Sequence, residues 1–211
     1  MTAEKGFEDH EVQNEITKFS PEARIAVEEA RWPIFTLTGK SIRNLRQSGI
    51  LTEPDEWLNQ EYLETFPSRK SEVTVETLYL QNTFNKSMLE QQRVVERYSK
   101  ELSTRIPDVE AVIGEASDYV EFDSLWIKRY GTHLFQYDVT LNPKLPIPRF
   151  LKRWKLFKDH IATRTVTPLN SPRGSFVALV TYFNGHIIID GWPKEQGLHV
   201  CGVIPLIVPR T

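Results

Sequence analysis

The stretch HIIIDGWPKEQGLHVCG, residues 186 to 202, carries His186, Asp190, His199 and Cys201. Imidazole, carboxylate and thiol groups bind transition metals, and they pair as base and nucleophile in covalent catalysis. Spacing argues against both uses here. His186 and Asp190 stand about 13 Å apart along an extended strand, too far to share an ion or a proton. His199 and Cys201 fall at i and i+2, on one strand face about 6–7 Å apart, where side chains diverge. A zinc site needs at least three ligands at one point, and no spacing here supplies them. Cys201 is the single cysteine, which rules out an internal disulfide framework and any CxxC motif. It lies in an apolar run between Val200 and Gly202, so both Cys201 and His199 are read as core residues.

A second group is acidic. Glu115, Asp118, Glu121 and Asp123 crowd one stretch, and paired carboxylates could serve glycoside hydrolysis or hold a divalent cation. The neighbouring aromatics give another account. Tyr119, Phe122, Trp126 and Tyr130 form one stripe of a helix. On that helix the acids sit at the positive N-terminal end, Lys128 and Arg129 at the negative end, and Gly131 terminates it. Asp118 and Glu121 also have capping-box spacing. The acids are therefore read as helix electrostatics.

A third group is basic. Lys144, Arg149, Lys152, Arg153, Lys155 and Lys158 follow one another with no acid until Asp159. On a helix over 149–161, Phe150, Trp154, Phe157 and Ile161 face one way and most cations the other. Such a face suits a phosphate backbone, an anionic lipid surface or an acidic partner protein. As plain solvated surface it would pair with acids such as Glu22, Glu28 and Glu29. Trp192, in the GWPKEQG stretch, is read as a loop residue, either exposed for a partner or folded back on the sheet.

Several fingerprints are absent. GKS at 39–41 lacks the earlier glycine of a phosphate loop, since that position is Ile34. The common nucleophile-elbow, zinc-peptidase and dinucleotide patterns do not occur.

The elements that must position these groups are legible along the chain. Residues 1–19 read as a flexible polar arm. Ser20-Pro21-Glu22 starts a helix that ends near Arg31, before Pro33. IFTLT (34–38) reads as a strand, and SIRNLRQSG as a helix closed by Gly49. Thr52 and Asp55 box the start of a third helix bearing Trp57, Leu58, Tyr62 and Leu63. A strand over 71–80 follows, then a helix from Ser87 and Glu90 to Ile106, then a strand over 109–113. FQYDVTL (135–141) alternates as a strand should. After the basic helix the chain reads as β. ATRTVTPL leads through NSPRG to FVALVTYF and HIIID, joined by Asn184-Gly185, a strong hairpin signal. These apolar runs suggest strands covered on both faces and central in the sheet, with Asp190-Gly191 as an exit turn. LHVCGVIPLIVP adds one final strand with Pro205 at an edge or bulge.

The fold class expected is α+β: a helical N-terminal third, then a mixed or antiparallel sheet with packed helices, ending in a β-hairpin plus one strand. The segment 20–67 is read as a helical subdomain and 68–211 as an α+β core, with one continuous domain over 20–211 as the alternative. Across 211 residues the net charge is −2, which gives no global attraction to nucleic acid or an anionic membrane. No apolar run is long enough for membrane insertion, and the N-terminus has no signal-peptide pattern, so a cytoplasmic location is expected. The functional expectation is a non-enzymatic binding protein with no cofactor and no metal. Its binding residues would be Arg149, Lys152, Arg153, Lys155, Lys158 and Trp192, and its partner another protein or an anionic molecule. Nucleic-acid association through the basic helix is one alternative. The other is a hydrolase-like enzyme assembled from dispersed residues, with His133, Asp138, His199 and Cys201 as candidates.

Overall fold

The structure is a computed structural model, and it describes residues 15–49, 61–135, 162–171, 174–183 and 186–210. It is α+β, in the order α1 (Pro21–Glu29), β1 (Phe35–Thr38), α2 (Ile42–Gln47), α3 (Glu61–Thr65), β2 (Lys70–Val73), α4 (Met88–Ser103), β3 (Val109–Val112), α5 (Ala116–Tyr130), β4 (Ala162–Ser171), β5 (Gly174–Phe183), β6 (His186–Pro193), β7 (Cys201–Gly202) and β8 (Leu206–Pro209).

Local chemistry sets the helix ends. The Ser20 hydroxyl accepts from Ala23 N, and Pro21 fills the first turn, where its missing N–H costs nothing. Ser87 and Glu90 form a reciprocal capping box on α4. Gly131 closes α5 at φ 74°, a left-handed angle that costs glycine little. In α3 Leu63 is buried and Tyr62 is exposed, and the residues before Glu61 on which a third helix is expected lie outside the described residues.

Strand pairing departs from expectation in four respects. The strand expected over 71–80 pairs with β1 only through Val73, then continues through a single bridge from Thr74 to Ile207. β5 lies centrally in the four-stranded sheet β6-β5-β4-β7, as its unbroken apolar run suggests. β6, equally apolar at its start, is an edge strand. Asp190-Gly191 is not an exit turn, because both residues pair within β6, opposite Leu179 and Ala178. The final strand is in fact two. β7 runs parallel to β4, whereas β8 pairs antiparallel with β3, and Pro205 separates them. A proline cannot donate to a ladder, so it marks the place where the chain leaves one sheet for another.

The main core lies between α5 and the inner face of the β4–β6 sheet. Tyr119, Phe122 and Trp126 meet Ala178, Val180, Ile187 and Ile189 there. Phe35 and Leu37 of β1, Ile42 and Leu45 of α2 and Leu63 of α3 belong to the same cluster. A second core joins α1 and α4 to β3 and β8, and a third, small one covers the outer face of the sheet around Cys201.

Candidate functional site

Of the four acids, Asp118, Glu121 and Asp123 are buried and Glu115 is half-buried, and tertiary contacts hold them in addition to the helix-end capping box of Glu115 and Asp118. Asp118 is fully buried. It accepts from Arg69 N at 2.7 Å, Arg69 Nε at 2.9 Å and Glu115 N at 2.9 Å, and Arg69 Nη2 lies 2.9 Å from its Oδ2. The capping interaction thus joins Glu115 to Asp118, not Asp118 to Glu121. Glu121 instead reaches across to β1 and the loop before β2, accepting from Thr38 N at 3.2 Å, Thr38 Oγ1 at 2.6 Å and Ser68 Oγ. Glu115 accepts from Thr167 Oγ1, and burial holds its carboxyl above the usual glutamate range. These groups pin α5 to the strands around it.

Asp123 has a different partner. It is fully buried; Leu134 N donates to Oδ1 at 2.5 Å, and His133 Nδ1 lies 2.7 Å from Oδ2. Burial pushes the Asp123 carboxyl up, while the histidine pulls it down. The His133 ring packs on Tyr182 with centroids 4.2 Å apart and keeps 22% of its side chain exposed. A carboxylate that fixes one imidazole nitrogen leaves the other available for proton transfer or ligation. Helical phase could have placed Asp123 on the buried stripe, four residues after Tyr119 and three before Trp126, but not its partner His133 beyond Gly131.

The C-terminal candidates separate. Cys201 is fully buried, and burial pushes its thiol up to about 11. His199 is exposed, contrary to the core reading. The strand begins only at Cys201, and residues 198–201 form a turn closed by Cys201 N donating to Leu198 O at 3.0 Å. The two side chains therefore do not share a strand face. Trp192 lies in β6 opposite Val177, not in a loop, and it packs partly buried against the Cys201 cluster. Arg164 of β4 is fully buried. Asp138 and the basic residues Arg149, Lys152, Arg153, Lys155 and Lys158 lie outside the described residues, as does the strand expected over 136–141.

A groove runs along α4. One cavity of about 790 Å³ is lined by Met88, Leu89, Gln92, Val166, Phe176 and Lys194, among others. A second, of about 500 Å³, shares Gln92 and Val166 with it and continues past Glu96, Ser99 and Lys100 to Glu110 and Arg210. Leu89, 56% exposed, stands on its floor side as an unpaired apolar surface. Sequence periodicity could not mark this groove, because its walls come from α4, β3, β4 and β5.

Among the described residues no group of three or more His, Cys, Asp or Glu is placed to hold a metal ion, and no helix is long and apolar enough to cross a membrane. Compared with protein-family models, curated proteins and solved structures, the chain has no match.

Proposed function

We propose that the chain is a non-enzymatic binding protein that receives an extended peptide segment of a partner in the groove along α4. The observation that carries this reading is that the two cavities lie side by side along α4 and share Gln92 and Val166 as lining residues. From Ser87 to Lys100 the groove follows α4 for about 20 Å, the length of about six residues of extended chain. Apolar Met88, Leu89, Phe176 and Val177 occupy one end, while Glu96, Lys100, Glu110 and Arg210 offer both signs of charge at the other. That mixture suits a segment with apolar anchors followed by polar side chains. Among the described lining residues, Ser87, Ser99 and Ser175 have no histidine beside them to act as a general base.

The test is selection of random hexapeptides on the immobilised chain, with re-measurement on Leu89→Arg. Leu89 is exposed, so the substitution spares the core. Binding weaker by at least about tenfold is expected. Peptides that bind L89R as well as wild type would refute the groove.

The Asp123–His133 pair supports a second reading, a hydrolase-like enzyme in which the oriented imidazole is the general base. Turnover of p-nitrophenyl esters by the wild type, lost in His133→Ala, would put that reading in place of the first.

A further inference from the structure

The outer face of the β6-β5-β4-β7 sheet carries a buried charge that no acid among the described residues pairs with. Arg164 is fully buried. Its Nη1 donates to Lys194 O at 3.3 Å and its Nη2 to Gln196 O at 2.9 Å, and its Nε has no partner. Among the described residues no carboxylate forms an ion pair with it. The nearest acid by register, Asp190, is exposed and accepts from its own neighbour, Gly191 N, at 2.7 Å. Arginine cannot shed its proton to escape burial, and an isolated interior cation is strongly disfavoured.

Strand register brings another unsatisfied atom to the same face. Arg164 pairs with Leu179, Val177 pairs with Trp192, and Ala162 pairs with Cys201. Paired residues and their i±2 neighbours share a face, so Arg164, Trp192 and Cys201 all project from the outer side. Trp192 packs on the Cys201 cluster, and its Nε1 is buried without an acceptor. Gln91, fully buried on α4, contacts Cys201 from above, with its amide nitrogen on Cys201 O at 3.4 Å. The stretch from Lys194 to Gln196 closes the site through its carbonyls on Arg164.

We infer that this face holds a small monovalent anion of the halide type, bound by Arg164 Nε and Trp192 Nε1 beneath the 194–196 turn. Each Nη gives one of its two N–H groups to a carbonyl, which leaves Arg164 Nε and Trp192 Nε1 as the two nitrogens with no partner at all. Two such nitrogens and one net positive charge suit a single compact acceptor atom. The site is independent of any ligand in the α4 groove. It stands behind Lys194, which also lines that groove.

The experiment is anomalous diffraction from crystals of the full chain grown in sodium bromide, with thermal unfolding in bromide against gluconate at fixed ionic strength. The expected result is a bromide peak at hydrogen-bond distance from Arg164 Nε and Trp192 Nε1, with wild-type stability rising with bromide concentration. Trp192→Phe keeps most of the packing and removes one donor, and its apparent bromide affinity is expected to fall about tenfold. Arg164→Met should show no bromide response; if it fails to fold, W192F and the wild-type crystals decide. A water at the position, an empty site, a peak without any stability response (an adventitious ion only) or an undiminished response in W192F would each overturn the inference.

Discussion

Replacing Asp118 by asparagine tests whether the α5 acids hold the fold together. The carboxylate is fully buried and collects Arg69 N, Arg69 Nε, Arg69 Nη2 and Glu115 N at 2.7 to 2.9 Å. Asparagine keeps the shape, but it removes the charge that faces the guanidinium and turns an NH2 group toward donors that need an acceptor. Breaking a buried ion pair costs about 3–5 kcal/mol, and because Arg69 retains 26% side-chain exposure the low end applies, about 3 kcal/mol. For a chain of this size each kcal/mol moves the midpoint by about 2–4 °C, so Tm should fall by about 6–12 °C. Urea unfolding followed by tryptophan fluorescence reads this directly, since Trp126 is only 2% exposed in the fold. The midpoint should drop with an unchanged m-value. A loss under about 1 kcal/mol, the level of a surface ion pair, would show that the contacts are ornamental and refute the reasoning.

Three further outcomes follow from the same structure. Burial keeps Glu115 protonated to higher pH in the folded state than in the unfolded one, so its contribution to stability is full below the ordinary glutamate range and is lost as pH rises through the raised folded value. The stability of wild type relative to Glu115→Gln should therefore decline as pH rises above the ordinary glutamate range, and a flat difference across a urea series contradicts this. Cys201, fully buried with its thiol pushed up to about 11, should not react with a disulfide reagent at pH about 8 until urea unfolds the chain, when one equivalent is released. Ser87→Ala removes the hydroxyl half of the α4 capping box and should cost about 1 kcal/mol in urea unfolding; no measurable loss would mean the cap is redundant.

Much of the fold was written locally. Ser20 before Pro21, Ser87 with Glu90, and Gly131 after the aromatic stripe each mark a helix boundary that the structure keeps within a residue or two. The pairing of Phe183 with His186 agrees with the hairpin signal at Asn184-Gly185. These signals survive because caps and strand alternation are satisfied by neighbours in sequence. The candidate sites were less legible. The acids of α5 were recognised as structural, but their partners Thr38, Ser68, Arg69 and Thr167 lie on other elements. Arg164 alternates in phase with Ala162 and Val166, which hints at a shared face and cannot say that the face is covered.

The sequence by itself determined where the capped helices begin and where α5 and the β5–β6 hairpin turn, and that the lone thiol sits in an apolar run. Tertiary structure decided which strands meet, that the chain changes sheets at Pro205, that His199 is exposed while Arg164 is buried, and that Asp123 closes on His133. The physical reason is one of range. Backbone hydrogen bonds at caps and turns are completed within a few residues, whereas the burial of a charge depends on what distant segments lay over it.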